Sequence, residues 1–158
     1  MCRKVVCFDL DDTLYKEIDF VESGFKLIAE SEKRLDLLPK MMEWRERGED
    51  VFFNFNKAIG KETLKSDHLK MYRCHFPSIS LATSVEETLD ELKYRGLVLG
   101  LITDGRSKAQ RNKIKALGLE KWIDKADIII SEEFGSEKTD DRNFIFFMEK
   151  IVKNARFG

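Results

Sequence analysis

Three short apolar runs constrain this chain most. They are RKVVCFDL at 3–10, LVLGLI at 97–102 and ADIIIS at 126–131. Each is continuous rather than alternating, which is the pattern of a strand covered on both faces within a parallel sheet. Helical stretches separate them. Residues 84–95 predict a helix that Gly96 ends, with Ser84 and Glu87 at capping-box spacing. Residues 107–117 predict another, stopped by Gly118, and a polar loop, EEFGSEKTDD, leads to a last helix over 141–153. Strands alternating with helices imply an α/β fold, a Rossmann-like parallel sheet of three strands with helices on its faces.

Residues 16–81 have a different character. They are amphipathic and almost free of β-branched runs, and they read as about four helices: one carrying Phe20, Phe25, Leu27 and Ile28, a short one around Met41 to Arg45, and two more at 51–59 and 64–76. The expected organisation is therefore an α/β core formed by 1–15 and 82–158, with an α-helical insertion at 16–81. Trp44, Phe52, Phe53 and Phe55 are expected in the core of the insertion, although its inner face can also meet a substrate. Phe144, Phe146 and Phe147 are expected to pack the last helix onto the sheet.

Composition excludes several classes. There are 28 Lys+Arg against 29 Asp+Glu, a net charge of −1, so the basic surplus of a nucleic-acid binder is missing. With 42% hydrophobic residues the chain can bury a core, unlike a disordered one. No apolar run approaches the roughly 20 residues of a membrane helix, and the N-terminal apolar stretch is too short for a signal peptide. Cys2, Cys7 and Cys74 show no CxxC spacing and are expected as small buried hydrophobes in a reducing, cytoplasmic setting.

In sheets of this kind ligands bind at the carboxyl ends of the strands, and three candidate features fall there. Asp9, Asp11 and Asp12 follow the first strand, and extended backbone can aim Asp9 and Asp11 at one pocket, where a divalent cation relieves their repulsion. Thr103-Asp104-Gly105 follows the second strand: a hydroxyl, a tight turn and a helix N-terminus, a combination whose free N–H groups suit a phosphate. Lys138 lies in the loop after the third strand and supplies a cation. Glu132 and Glu133 lie near the same edge with no assigned role. His68 and His75, seven apart on an insertion helix, are read as structural, because paired helical metal ligands stand three or four apart.

Phe8-Asp9-Leu10-Asp11-Asp12-Thr13-Leu14 resembles the first signature of the haloacid dehalogenase-like (HAD) hydrolases, D-x-D-x-[T/V]. Ile102-Thr103-Asp104-Gly105 resembles the second. Ser131 to Asp140 is similar to the third, with Thr139 where proline is usual. The helical insertion resembles the cap of the family's first cap class. The resemblance implies a Mg2+-dependent phosphomonoester hydrolase acting on a small phosphorylated metabolite. Asp9 would be the nucleophile, forming an aspartyl-phosphate, and Asp11 the acid and then the base, its pKa raised by nearby carboxylate charge. Thr103, Asp104 and Gly105 would bind the phosphoryl group, and Lys138 would offset charge on the nucleophile. Asp9, the backbone carbonyl of Asp11 and a further acidic residue would hold Mg2+. The acid at Asp11 favours phosphate esters over halides, because halide leaves unprotonated.

A sugar phosphomutase would need the same nucleophile and acid, and a catalytically incomplete remnant used for binding is a further alternative. A phospho-accepting receiver domain is disfavoured, because Ser131 rather than Asp follows the third strand. The family's fourth motif, an acidic pair on the next strand, has no counterpart in residues 142–158. The sequence therefore reads as stopping short of it. On that reading this form would leave the first strand with an open apolar edge, self-associate through it or be marginally stable, bind Mg2+ weakly and turn over little.

Overall fold

The computed structural model describes residues 4–61, 65–135, 137–138 and 141–156. Cys2, Thr139 and Asp140, named above, lie outside the described residues. The chain divides into two compact units, residues 17–79 and residues 1–16 with 80–158. No helix among the described residues is long and apolar enough to cross a membrane.

The discontinuous unit contains a three-stranded parallel sheet. Its strands are β1 (Val5–Phe8), β2 (Val98–Thr103) and β3 (Ile128–Ile130), in the order β1-β2-β3. The registers Phe8↔Leu101 and Thr103↔Ile130 end the strands near one another, which places the loops after all three at one edge of the sheet. β2 is central and β3 is fully buried, as continuous apolar runs require. β1 departs from the expectation of burial on both faces. It has no partner on its outer side among the described residues, its residues are half-buried, and Cys7 is exposed. Cys74 is exposed as well, so neither described cysteine is the buried hydrophobe expected.

Around the sheet lie α5 (Thr83–Tyr94), α6 (Ser107–Ala116), the short α7 (Ser131–Phe134) and α8 (Arg142–Arg156). The α5 terminus differs from the capping-box expectation: Ala82 is the N-cap and no side chain caps it. α6 ends before Gly118, whose φ of +63 is the left-handed conformation that glycine adopts most readily. α7 forms within the expected polar loop and is stopped by Gly135. α8 packs chiefly through Phe147, 3% exposed, beside Ile102 and Ile129. Phe144 and Phe146 remain about half exposed instead of packing onto the sheet.

The other unit is helical: α1 (Glu17–Ser31), α2 (Leu38–Glu46), α3 (Val51–Ala58) and α4 (Lys65–Cys74). Pro39 stands in the first turn of α2, where its missing N–H costs nothing. Asp50 caps α3 by accepting from the Phe53 N–H at 3.1 Å. The core is Val21, Phe25, Ile28, Met41, Trp44 and Phe55, with Phe52 packed against it. Phe53 points outward and is 59% exposed, contrary to expectation, because it follows Phe52 by one residue and leaves the apolar stripe. His68 and His75 are buried, His68 against Glu32 and His75 on the Tyr72 carbonyl.

Candidate active site

After β1 the chain turns sharply. The Leu14 N–H bonds the Leu10 carbonyl at 3.1 Å, and Asp12 takes a left-handed φ of +54, which a short polar side chain tolerates better than most. Leu10 and Leu14 are buried and anchor this turn. Asp9, at the strand end, stays 44% exposed, and one carboxylate oxygen, Oδ1, accepts the Leu10 N–H at 2.6 Å. The same Oδ1 receives the Lys138 ammonium in an ion pair. The structure thus brings together two residues separated by most of the chain.

Lys138 is aimed by its backbone. Its N–H donates to Asp104 Oδ1 at 2.9 Å, and the buried Asn143 amide donates to the Glu137 carbonyl at 2.9 Å. The Asp104 carboxylate therefore holds the lysine loop, a structural use that the sequence pattern did not suggest.

Thr103 is 1% exposed at the end of β2. Its hydroxyl oxygen accepts from Gln110 Nε2 at 3.0 Å, which leaves its own O–H to donate. Gly105 has φ +138, a region that side chains rarely adopt, and a Cβ there would stand 3.0 Å from the Gln110 amide nitrogen. The expected phosphate cradle of free N–H groups is partly closed from within. The Gly105 N–H donates to Ser131 Oγ at 3.0 Å, and the Ser107 N–H at the start of α6 donates to Glu132 Oε2 at 2.7 Å. Glu132 caps α6 from another segment, its negative charge suiting the helix N-terminus. Glu133 pairs with Arg111, which holds its carboxyl below the usual range. Asp104, Gly105, Ser131, Glu132 and Glu137 line an open cavity of about 430 Å3 beside these loops.

Asp11 differs most from expectation. Its carboxylate accepts Lys113 Nζ at 2.7 Å and the Tyr15 hydroxyl on one oxygen, and Gln110 Nε2 at 3.0 Å on the other. Burial alone would raise its pKa, but the donors Gln110, Lys113 and Tyr15 and the charge of Lys113 together bring it below the ordinary value. The anticipated upward shift is therefore reversed, because three donors rather than a second carboxylate surround the group.

Gln110 and Lys113 escaped the sequence reading. A signal existed: they lie three apart on α6 beside Ile114 and Leu117, so two polar residues interrupt its inward stripe.

The oxygen donors for a hard cation are few. Asp9 Oδ2 has no hydrogen bond or ion pair among the described residues, and no group of three or more His, Cys, Asp or Glu side chains there could hold a metal. A single open carboxylate oxygen is compatible with Mg2+, which keeps several waters and uses one or two carboxylates plus substrate phosphate.

Residues 6–155 match the family model described as haloacid dehalogenase-like hydrolase. The glyceraldehyde 3-phosphate phosphatase of Methanocaldococcus jannaschii is 34% identical, over 96% of this chain and 72% of its own length. The protein of the same name from Methanothermobacter thermautotrophicus is 29% identical, over 89% of this chain and 68% of its own. Among solved structures, a HAD-superfamily hydrolase of Geobacter sulfurreducens superposes with a TM-score of 0.65 at 17% identity, covering 95% of this chain and 73% of that one, a likeness of fold. The chain belongs to the haloacid dehalogenase-like hydrolase family.

Proposed function

We propose that this protein is a Mg2+-dependent phosphatase that hydrolyses a small phosphomonoester through an aspartyl-phosphate on Asp9. The observation that carries the reading is the Lys138–Asp9 ion pair at the carboxyl edge of the parallel sheet. A cation on one oxygen lowers the cost of charge on the nucleophile and on the transferring group, while the other oxygen stays open for attack.

In the first half, an Asp9 oxygen bonds to phosphorus as the ester P–O bond breaks, and Asp11 gives a proton to the departing alcohol oxygen. The incoming phosphoryl group carries negative charge, which favours the protonated form of Asp11. In the second half, Asp11 takes a proton from water, the water oxygen bonds to phosphorus, and the Asp9–phosphorus linkage breaks to release inorganic phosphate. The Thr103 O–H is the donor for a phosphoryl oxygen. Asp9 and the Asp11 carbonyl are the residues that would hold Mg2+, which supplies charge neutralisation at the phosphoryl oxygens when bound.

The residues 17–79 unit is read as the substrate-selecting cap. The names of the two archaeal relatives make triose phosphates the first substrates to try. The experiment is a phosphate-release assay over triose phosphates, hexose phosphates and para-nitrophenyl phosphate, with and without Mg2+, on the wild type and Asp9→Asn. Mg2+-dependent release abolished by Asp9→Asn supports the reading; release that survives Asp9→Asn sinks it.

A further inference from the structure

The inward face of α6 carries two polar side chains where the helix pattern calls for apolar ones. Gln110 is 2% and Lys113 5% exposed. Both reach Asp11, across 99 and 102 residues of sequence. We propose that Gln110 and Lys113 are positioning residues that set the Asp11 carboxylate for proton transfer, and that Gln110 ties it to the Thr103-Asp104 strand end. The proposal rests on the phosphatase reading above and adds to it two residues outside the three signatures.

Geometry argues for this role over a merely stabilising one. Gln110 Nε2 has two protons for three acceptors: Asp11 Oδ2 at 3.0 Å, Thr103 Oγ1 at 3.0 Å and the Asp104 carbonyl at 2.6 Å. All the acceptors lie on the amide nitrogen's side, so a flipped amide would set oxygen against oxygen. In consequence Gln110 Oε1 is buried with no hydrogen-bond partner among the described residues, an arrangement that costs stability. Lys113 is likewise a buried ammonium, and such a pair is seldom a better core than apolar side chains of similar size. Local costs of this kind, gathered around one carboxylate, are typical of a site whose geometry matters more than its stability. One amide also fixes the distance between the acid on the first loop and the hydroxyl on the second strand, the two groups that meet the leaving oxygen and the phosphoryl oxygens.

The test separates positioning from folding by leaving group. An alkyl alcohol needs a proton to depart, whereas para-nitrophenolate leaves without one. The parameter kcat/KM reports steps through loss of the alcohol, and so isolates the acid role. With Mg2+, wild type, Lys113→Met, Lys113→Arg and Gln110→Ala are compared on para-nitrophenyl phosphate and on the best alkyl ester of the panel. In Lys113→Met and Gln110→Ala the alkyl kcat/KM is expected to fall at least tenfold further than the aryl value, within the roughly 100-fold range for a misplaced group. Lys113→Arg should recover most of the alkyl loss. Equal losses on both esters, no recovery with arginine, or loss of the fold in both Lys113→Met and Gln110→Ala would overturn the proposal and make the pair structural. A wild type that hydrolyses neither ester fails the phosphatase reading itself, and the positioning role falls with it.

Discussion

The Lys138 ammonium rests on Asp9 Oδ1, the same oxygen that accepts the Leu10 N–H, so both fixed donors crowd one side of the carboxylate. That asymmetry predicts a difference between two variants. Asp9→Asn removes the proposed nucleophile and should leave no turnover above background. Lys138→Met leaves the Asp9 carboxylate but not its counter-charge, and kcat should drop by about 100- to 1000-fold, the scale of one lost electrostatic donor. Steady-state phosphate release measures both; a Lys138→Met enzyme within fivefold of wild type would remove the lysine from the mechanism.

Asp11 links pH to stability. Its folded pKa lies below its ordinary value, so its ionised form favours the fold. That contribution is complete above the unfolded carboxyl pKa, about 3.9, and is lost as pH falls through the depressed folded value. Asp11→Asn takes the carboxylate from a lysine whose side chain is 7% exposed, while Asp11 itself is 25% exposed. The expected loss is about 2–3 kcal/mol at neutral pH, below the range for a fully buried pair. Urea denaturation at pH 7 and pH 3 should show the difference between wild type and Asp11→Asn shrinking at low pH. A gap that is unchanged or wider at pH 3 would contradict the assignment.

Much of this arrangement is legible in the residue pattern, for definite reasons. The Ile128 to Ile130 run has no polar alternation, and it is indeed a fully buried strand. Lys138 is a weak signal alone, but its place after the third apolar run put it on the same sheet edge as Asp9, where the ion pair forms. What stayed hidden depends on long-range partners. The run at β1 looks like that at β2, yet among the described residues its side chains are only half-buried or exposed while those of β2 are mostly buried. Nothing near Ala82 announces that it, rather than Ser84, precedes α5, and Glu132 caps α6 from a segment 25 residues away. Asp11 was expected to feel carboxylates. Its actual neighbours, Lys113 and Gln110, lie on the inward stripe of α6, where the break in its apolar pattern is the one local sign of them.

Gly100 in the middle of β2 is required by a ring. A Cβ placed there would stand 1.9 Å from Phe147 Cζ, well inside any possible contact. Gly100→Ala should therefore push α8 off the sheet, at a cost of about 1–3 kcal/mol or more, as overpacked cores show. The double variant Gly100→Ala with Phe147→Leu should lose less than the sum of the single changes, since the smaller side chain gives back the space. Additive losses in chemical denaturation would mean that the two residues do not share this contact.

Cys7 offers a chemical readout of the site's surroundings. Although the residue shows surface at the sheet edge, its thiol pKa is pushed up to about 11, chiefly by desolvation. Lys138 pulls it down and Asp9 pushes it up by smaller amounts. The thiolate is the reactive form, so alkylation of Cys7 by iodoacetamide at pH 8 should be far slower than that of an ordinary exposed cysteine. The same shift carries a stability effect: protonated Cys7 favours the fold below the ordinary thiol pKa near 9, and this is lost as pH climbs towards 11. Lys138→Met removes the positive charge that lowers the pKa, so it should slow alkylation of Cys7 further. Peptide mapping of the labelled protein reads both rates, and faster labelling of Cys7 in Lys138→Met would show that the lysine does not act on this thiol.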